Sequence, residues 1–382
     1  MTQYMIIYFL IGIVFVACLI LTPIVIKMAK KFNLVDIPKD SRRVHNKPMP
    51  RVGGIAIVTS MYIGLAVYYF LTKNIQEIAL NEQFLGFALG GIIIFTMGLI
   101  DDIFNLKARY KFIFQLVAAI IVYAFGIKIT GFKIPFIYPE VIDFGIFSFP
   151  ITMIWIIGIT NSINLIDGLD GLAAGISAIS ATALLIIFTS TSASLESIII
   201  TAVLVGATLG FLPYNFNPAK TFMGDCSSNF LGFTLSVVSI LGCAKGYTIL
   251  AIIAPILTLS VPIFDTLFAM IRRMIKRQPI LKPDGAHIHH RLLKMGFSQK
   301  QAVLILYTIT SIFSLIAVVI ISADIWKLIL LILAIISFAV LGIVSMMHKN
   351  VNHVQDSTVS KNFTNNVEDK KNKSNKKNKK SI

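Results

Sequence analysis

"NSINLIDGLDGLAAG", residues 161–175, lies between two runs apolar enough to cross a bilayer. Asn161, Asn164, Asp167 and Asp170 recur there at every third position, with Gly168 and Gly171 between them. A bilayer core of roughly 30 Å takes about 20 apolar residues per helix, and charged groups placed near it are costly. Two amides and two carboxylates at this point therefore mark a functional break in the chain. In an unbroken helix, three-residue steps drift by about 60° each, which sends Asn161 and Asp170 to opposite faces. The glycines let the chain unwind and turn side chains and N–H groups toward one ligand. A cap on the next helix, starting near Leu172, would explain Asp170 but neither Asn161 nor Asn164.

The composition agrees with a membrane setting. Of 382 residues, 56% are hydrophobic and only 14% charged, against about 25% charged in an average soluble domain. The expected fold is an all-α polytopic membrane protein with about eleven spans. They fall near 4–26, 52–72, 84–100, 108–127, 149–166, 172–190, 196–212, 229–244, 247–270, 301–321 and 325–347. The first span reads as a retained anchor, because no basic residue precedes it and no A-x-A site follows. Cys18, Cys226 and Cys243 imply no disulfide framework.

A net charge of +16 would suit a nucleic-acid partner, but its distribution argues against one. If the amino terminus is outside, alternate loops and the carboxyl end hold 29 of the 34 Lys and Arg. The positive-inside rule then puts those loops and the C-terminus in the cytoplasm. Residues 1–347 read as one integral membrane domain. Residues 348–382 read as a disordered basic cytoplasmic tail, too polar to bury a core. The outer segment 133–150, with short apolar runs broken by Pro and Gly, reads as a small β-hairpin.

Every dense polar cluster falls on the cytoplasmic side of this topology. A lipid or solute transporter should gather polar groups near the midplane. Clusters at one interface instead suit an enzyme that joins a lipid headgroup to a cytoplasmic solute. In "GLIDDIF" (98–104), neighbouring helical residues point about 100° apart. We read Asp101 as facing substrate and Asp102 as supporting it; the plainer alternative pairs both with Lys107, Arg109 and Lys111. In "NPAKTFMGDCSSNFLGF" (217–233), Asp225 opens an apolar helix, where free N–H groups form an anion site or the carboxylate is simply an N-cap. With Asn164 it offers two hard oxygen ligands, the number Mg²⁺ commonly takes from protein when phosphates and water supply the rest. Mn²⁺ is the alternative ion. In "HIHHRL" (287–292), no cysteine accompanies His287, His289 and His290, and Arg291 would repel a cation. An anion-binding loop is the better reading than zinc. Lys47 and Arg51 add positive charge for phosphate contacts. Asp265, inside an apolar run, is either functional or bonded to a neighbouring loop.

"HNKPMPRVGG", "GLIDD", "NSINLIDGLDGLAAG", "NPAKTFMGD" and "HIHHRL" resemble, in order and spacing, the polyprenyl-phosphate N-acetylhexosamine-1-phosphate transferases. The resemblance covers about residues 5–345. Within that family the histidine loop is similar to that of the undecaprenyl-phosphate N-acetylglucosamine-1-phosphate transferases of teichoic acid and O-antigen synthesis. The resemblance implies eleven spans and a cytoplasmic active site. It implies Mg²⁺ on Asn164 and Asp225, with Asp101 acting on the lipid phosphate. It places Asp167 and Asp170 near a uridine nucleotide, and His287, His289, His290 and Arg291 over the diphosphate and sugar. The implied partners are undecaprenyl phosphate, UDP-N-acetylglucosamine and membrane lipid, with oligomeric state left open. A phospho-N-acetylmuramoyl-pentapeptide or other amino-sugar donor is the alternative. The chain departs from the family pattern at Ser227, where a glycine is usual; a Cβ there would press on any backbone contact to phosphate.

Overall fold

The computed structural model describes residues 3–36, 49–73, 81–134, 138–191, 193–243, 249–278 and 287–322. Among these, twelve α-helices are found: α1 (Gln3–Lys31), α2 (Ile55–Thr72), α3 (Glu82–Phe104), α4 (Ala108–Ala124), α5 (Ser148–Ile166) and α6 (Leu172–Ser190), then α7 (Leu195–Asn215), α8 (Asp225–Cys243), α9 (Ile249–Thr258), α10 (Ser260–Ile275), α11 (Ile288–Lys294) and α12 (Gln299–Ser322). Two antiparallel strand pairs accompany them: β1 (Val35–Asp36) with β2 (Met49–Pro50), and β3 (Gly131–Ile134) with β4 (Tyr138–Asp143). The second pair is the hairpin expected from the sequence, beginning two residues earlier.

Local chemistry explains the helix ends and interiors. Asn81 caps α3 by accepting the Gln83 and Phe84 N–H groups at 3.0 and 3.2 Å. Within the apolar helices, hydroxyls bond back to carbonyls four residues earlier: Thr22 to Cys18, Thr160 to Ile156 and Thr208 to Leu204. These bonds satisfy the three buried hydroxyls within their own helices. α8 is buried among α3, α5 and α7, and its Phe233 stacks on Phe87 at 6.0 Å. Against α7, α1 comes close enough that a Cβ on Gly206 or Gly210 would lie 2.6 Å from the Ile11 carbonyl or 2.5 Å from that of Phe15. Small residues four apart allow such backbone approach.

Seven of the described helices are long and apolar enough to cross a membrane, eight if the bent pair α9–α10 is one span. The chain is a multi-pass membrane protein. The span expected at 247–270 is not straight: α9 and α10 meet at an 80° bend around Leu259. Pro262 is the cause, since it has no N–H for the Thr258 carbonyl four residues back and its ring clashes there. That carbonyl accepts the Ser180 hydroxyl instead, at 2.6 Å. The last expected span, 325–347, and the basic tail lie outside the described residues.

Candidate active site

Asp225 is held from four sides. Gly224, at φ +79°, turns the chain into α8; a Cβ there would lie 2.4 Å from the Arg51 carbonyl and 2.6 Å from the Asp102 carboxylate. Asp102 accepts the Asp225 and Cys226 backbone N–H groups, each at 2.9 Å, one on each carboxylate oxygen. The anion site expected at this helix start is thus filled by the protein's own carboxylate, with the Arg51 guanidinium 3.4 Å away. Asn164 Nδ2 donates to Asp225 Oδ1 at 2.5 Å and to the Ser228 hydroxyl at 2.8 Å. Lys111 Nζ lies 3.4 Å from Asp225 Oδ2 and also pairs with Asp101. Asp101 Oδ1 accepts the Leu106 N–H at 2.6 Å, across the αL turn that Asn105 makes at φ 52°. Adjacent carboxylates pointing apart therefore serve one locus: Asp102 through backbone, Asp101 through a shared lysine.

The stretch 167–171 is unwound between α5 and α6, as its glycines predict, and Gly171 takes φ +81°. Gly171, not Asp170, occupies the cap position of α6. The Asp170 carboxylate instead accepts Asn217 Nδ2 at 3.0 Å and the Ala219 N–H at 3.2 Å. This ties the break in 161–175 to the loop that leads into Asp225. Burial, with Asp225, Asp102 and Asp170 nearby, pushes the Asp167 carboxyl up to about 8.

Two adjoining cavities result. One, of about 210 Å³, is lined by Arg51, Asp102, Asn164, Gly224 and Asp225. The other, of about 490 Å³, is lined by Gly168, Asp170, Asn217, Met223 and His290. Asp36, Asp167 and Phe222 belong to both walls.

The histidine loop is hung from α10. Asp265, buried, meets His287 Nδ1 at 2.9 Å and accepts the Ile288 N–H at 2.8 Å. His289 stacks on His287 and packs on Gly168, where a Cβ would lie 2.4 Å from its Nε2. Burial, with His290 and His287 alongside, pulls the His289 imidazole down to about 4, so it is neutral at pH 7. Arg291 is exposed on α11, and Lys47 lies outside the described residues.

Ser227 does not enter either cavity wall. It is fully buried, donates to the Met223 carbonyl at 3.0 Å, and packs against Gly54. The pressure on phosphate expected from its Cβ has no geometric basis here. Asn161 also lies apart from both cavities: its amide is paired with Gln115 on α4. Lys111 stood among the basic residues after the acidic pair, but its place between two carboxylates depends on α4 folding back beside α3. Asp36 carried no sequence signal at all, since it reaches the cavities from a two-residue strand.

Residues 84–243 match the family described as Glycosyl transferase family 4. The chain is 42% identical to a probable undecaprenyl-phosphate N-acetylglucosaminyl 1-phosphate transferase of Bacillus subtilis, over 84% of this chain and 86% of that one. A decaprenyl-phosphate N-acetylglucosaminephosphotransferase of Mycolicibacterium smegmatis is 33% identical over 73% of each chain. A phospho-N-acetylmuramoyl-pentapeptide-transferase of Halalkalibacterium halodurans is 30% identical over 80% of this chain and 94% of its own.

Proposed function

The chain belongs to glycosyl transferase family 4, and on that premise we propose that it transfers N-acetylglucosamine-1-phosphate from UDP-N-acetylglucosamine to undecaprenyl phosphate, releasing UMP. The observation that carries this reading is the pair of adjoining cavities, an acidic one around Asp225 and a larger one reaching His290, which meet at Asp167. Two anionic reactants need adjacent places and a shared source of positive charge.

The donor chemistry fits Mg²⁺. Asp36, Asp102, Asp167 and Asp225 line the smaller cavity with Arg51, and Lys111 pairs with Asp225 from beside it. Burial and the neighbouring carboxylates that push the Asp167 carboxyl up are what a divalent cation would offset. Among the described residues no three His, Cys, Asp or Glu side chains form a cage of their own, as suits an ion that takes one or two protein oxygens and completes its shell with phosphates and water. Asp225 and Asn164 would hold it, the Asn164 amide turned over to present its oxygen. The ion would supply charge neutralisation on the donor diphosphate.

The protein's part is positioning. Asp167 and Asp170 line the nucleotide side and His290 the sugar-diphosphate side. Lys111 and Arg51 draw the acceptor phosphate in. That phosphate has a second pKa near 6, so at neutral pH it is mostly dianionic and needs no base. Both Asp101 oxygens have partners, Leu106 and Lys111. This supports direct attack on the β-phosphorus, with Asp101 orienting Lys111. The P–O bond to the acceptor forms as the bond to the UMP oxygen breaks.

In the proposed topology eleven helices cross the bilayer, with the amino terminus outside, and the site and C-terminus in the cytoplasm. The Lys and Arg distribution supports it. The product would enter cell-wall polymer synthesis of the teichoic acid type. The test is purified protein with Mg²⁺, undecaprenyl phosphate and a panel of UDP-sugars that includes UDP-N-acetylmuramoyl-pentapeptide, with UMP as readout. UDP-N-acetylglucosamine should be the substrate. Asn164→Ala and Asp225→Ala should each lower turnover by about 10³-fold or more; near-normal activity in either would remove it from the metal site.

A further inference from the structure

Asn161 was expected at the nucleotide, but its amide is engaged elsewhere, in a cluster beneath the site. Gln115 Nε2 donates to Asn161 Oδ1 at 3.3 Å and to Asn229 Oδ1 at 3.2 Å. Asn161 Nδ2 donates back to Gln115 Oε1 at 2.8 Å. Asn229 Nδ2 donates to the backbone carbonyl of Asp225 at 2.9 Å. Gln115 and Asn229 are 2% and 1% exposed. Amides buried at a junction of three helices are expensive unless fully paired, and here the Gln115 amide uses both donors and its acceptor.

The arrangement repeats the site one helical turn deeper. Gln115 follows Lys111 by four residues on α4, Asn161 precedes Asn164 by three on α5, and Asn229 follows Asp225 by four on α8. Each therefore lies on the same helix face as its counterpart above. A slip of any one helix by a single residue moves its site group about 1.5 Å along the axis and turns it about 100°. Leucines would fill this junction equally well at any such register; the directed amide bonds would not. We propose that Gln115, Asn161 and Asn229 are positioning residues that set the register of α4, α5 and α8, and so hold Lys111, Asn164 and Asp225 at one point. The inference rests on the transferase reading for what that point does.

The test compares the full-length protein with Gln115→Met, Asn229→Ala and Asn161→Ala. Its readouts are kcat and KM from UMP release, Tm, and Mn²⁺ binding by electron paramagnetic resonance. Misplacement by about 1 Å predicts a kcat roughly ten- to a hundredfold lower with KM values within about threefold. Mn²⁺ binding should weaken in parallel. A lower Tm with unchanged kcat and Mn²⁺ affinity would reduce the cluster to scaffolding and overturn the proposal. So would Asn161→Ala raising only the KM for nucleotide sugar, which would return Asn161 to substrate contact. If Gln115→Met yields no folded protein, Asn229→Ala, which leaves the Gln115–Asn161 pair intact, decides by the same readouts. Should the wild type release no UMP from any sugar, the transferase reading fails by itself. Mn²⁺ binding then judges the cluster: weaker in the variants supports it, unchanged overturns it.

Discussion

Gly224, Asp102 and Asp225 show how tightly single residues specify this site. The left-handed turn at Gly224 lets Asp102 reach two N–H groups of α8. Gly224→Ala would force a Cβ against the Arg51 carbonyl at a φ that L-residues avoid. Turnover should fall by about 10²-fold or more, together with a lower Tm on a melting curve. Ser227→Gly should do the opposite of what its place in the motif suggests. The side chain packs on Gly54 away from the cavities, so kcat should stay within about twofold while Tm drops slightly from the lost packing and hydrogen bond. The motif was legible in the sequence at this scale. Which of its side chains faces the cavity was not, because the αL turn sets the rotation of the whole helix.

At the scale of elements, α10 and α11 act together. The bend at Leu259 lets Asp265 meet the histidine loop, and the same carboxylate holds His287 and starts α11. Asp265→Ala should free the loop and raise the KM for nucleotide sugar by roughly tenfold, with a smaller change for the lipid acceptor, read from initial rates. Between the two readings of Asp265 in the sequence, a bond to a neighbouring loop is the one realised, and that loop is itself part of the candidate site. His289 also makes stability depend on pH. Its folded-state value of about 4 lies below the ordinary 6.5, so between these the unfolded chain binds the extra proton and stability rises with pH. Up to about 3 kcal/mol should be lost as pH falls from 6.5 toward 4. Melting in a pH series should show this, and His289→Gln should flatten it.

For the whole molecule, the basic residues report orientation and the buried glycines report packing. In the proposed topology, single cysteines at Lys220 or Lys300 should react with a membrane-impermeant maleimide only after the inner face is opened. A cysteine at Lys133, within strand β3 of the hairpin, should react in intact cells. Labelling in the reverse pattern would invert the assignment. Helix α1 meets α7 at Gly206 and Gly210, and Gly210→Leu should push them apart and lower Tm by several degrees in a thermal-shift measurement, because apolar lipid offers no compensating hydrophobic drive.

The membrane class, most helix positions and the list of polar clusters were determined by the sequence alone. Hydrophobic run length answers to bilayer thickness, and a buried charge or amide needs a reason wherever the fold puts it. Only the tertiary structure decided which groups meet. Asp101 and Asp225 share Lys111 across more than a hundred residues of chain, Asp170 grips the loop before α8 rather than its own helix, and Asn161 turns toward Gln115. These are relations between helices, set by register and by where two glycines and one proline bend the backbone. Periodicity within any single helix carries no record of them.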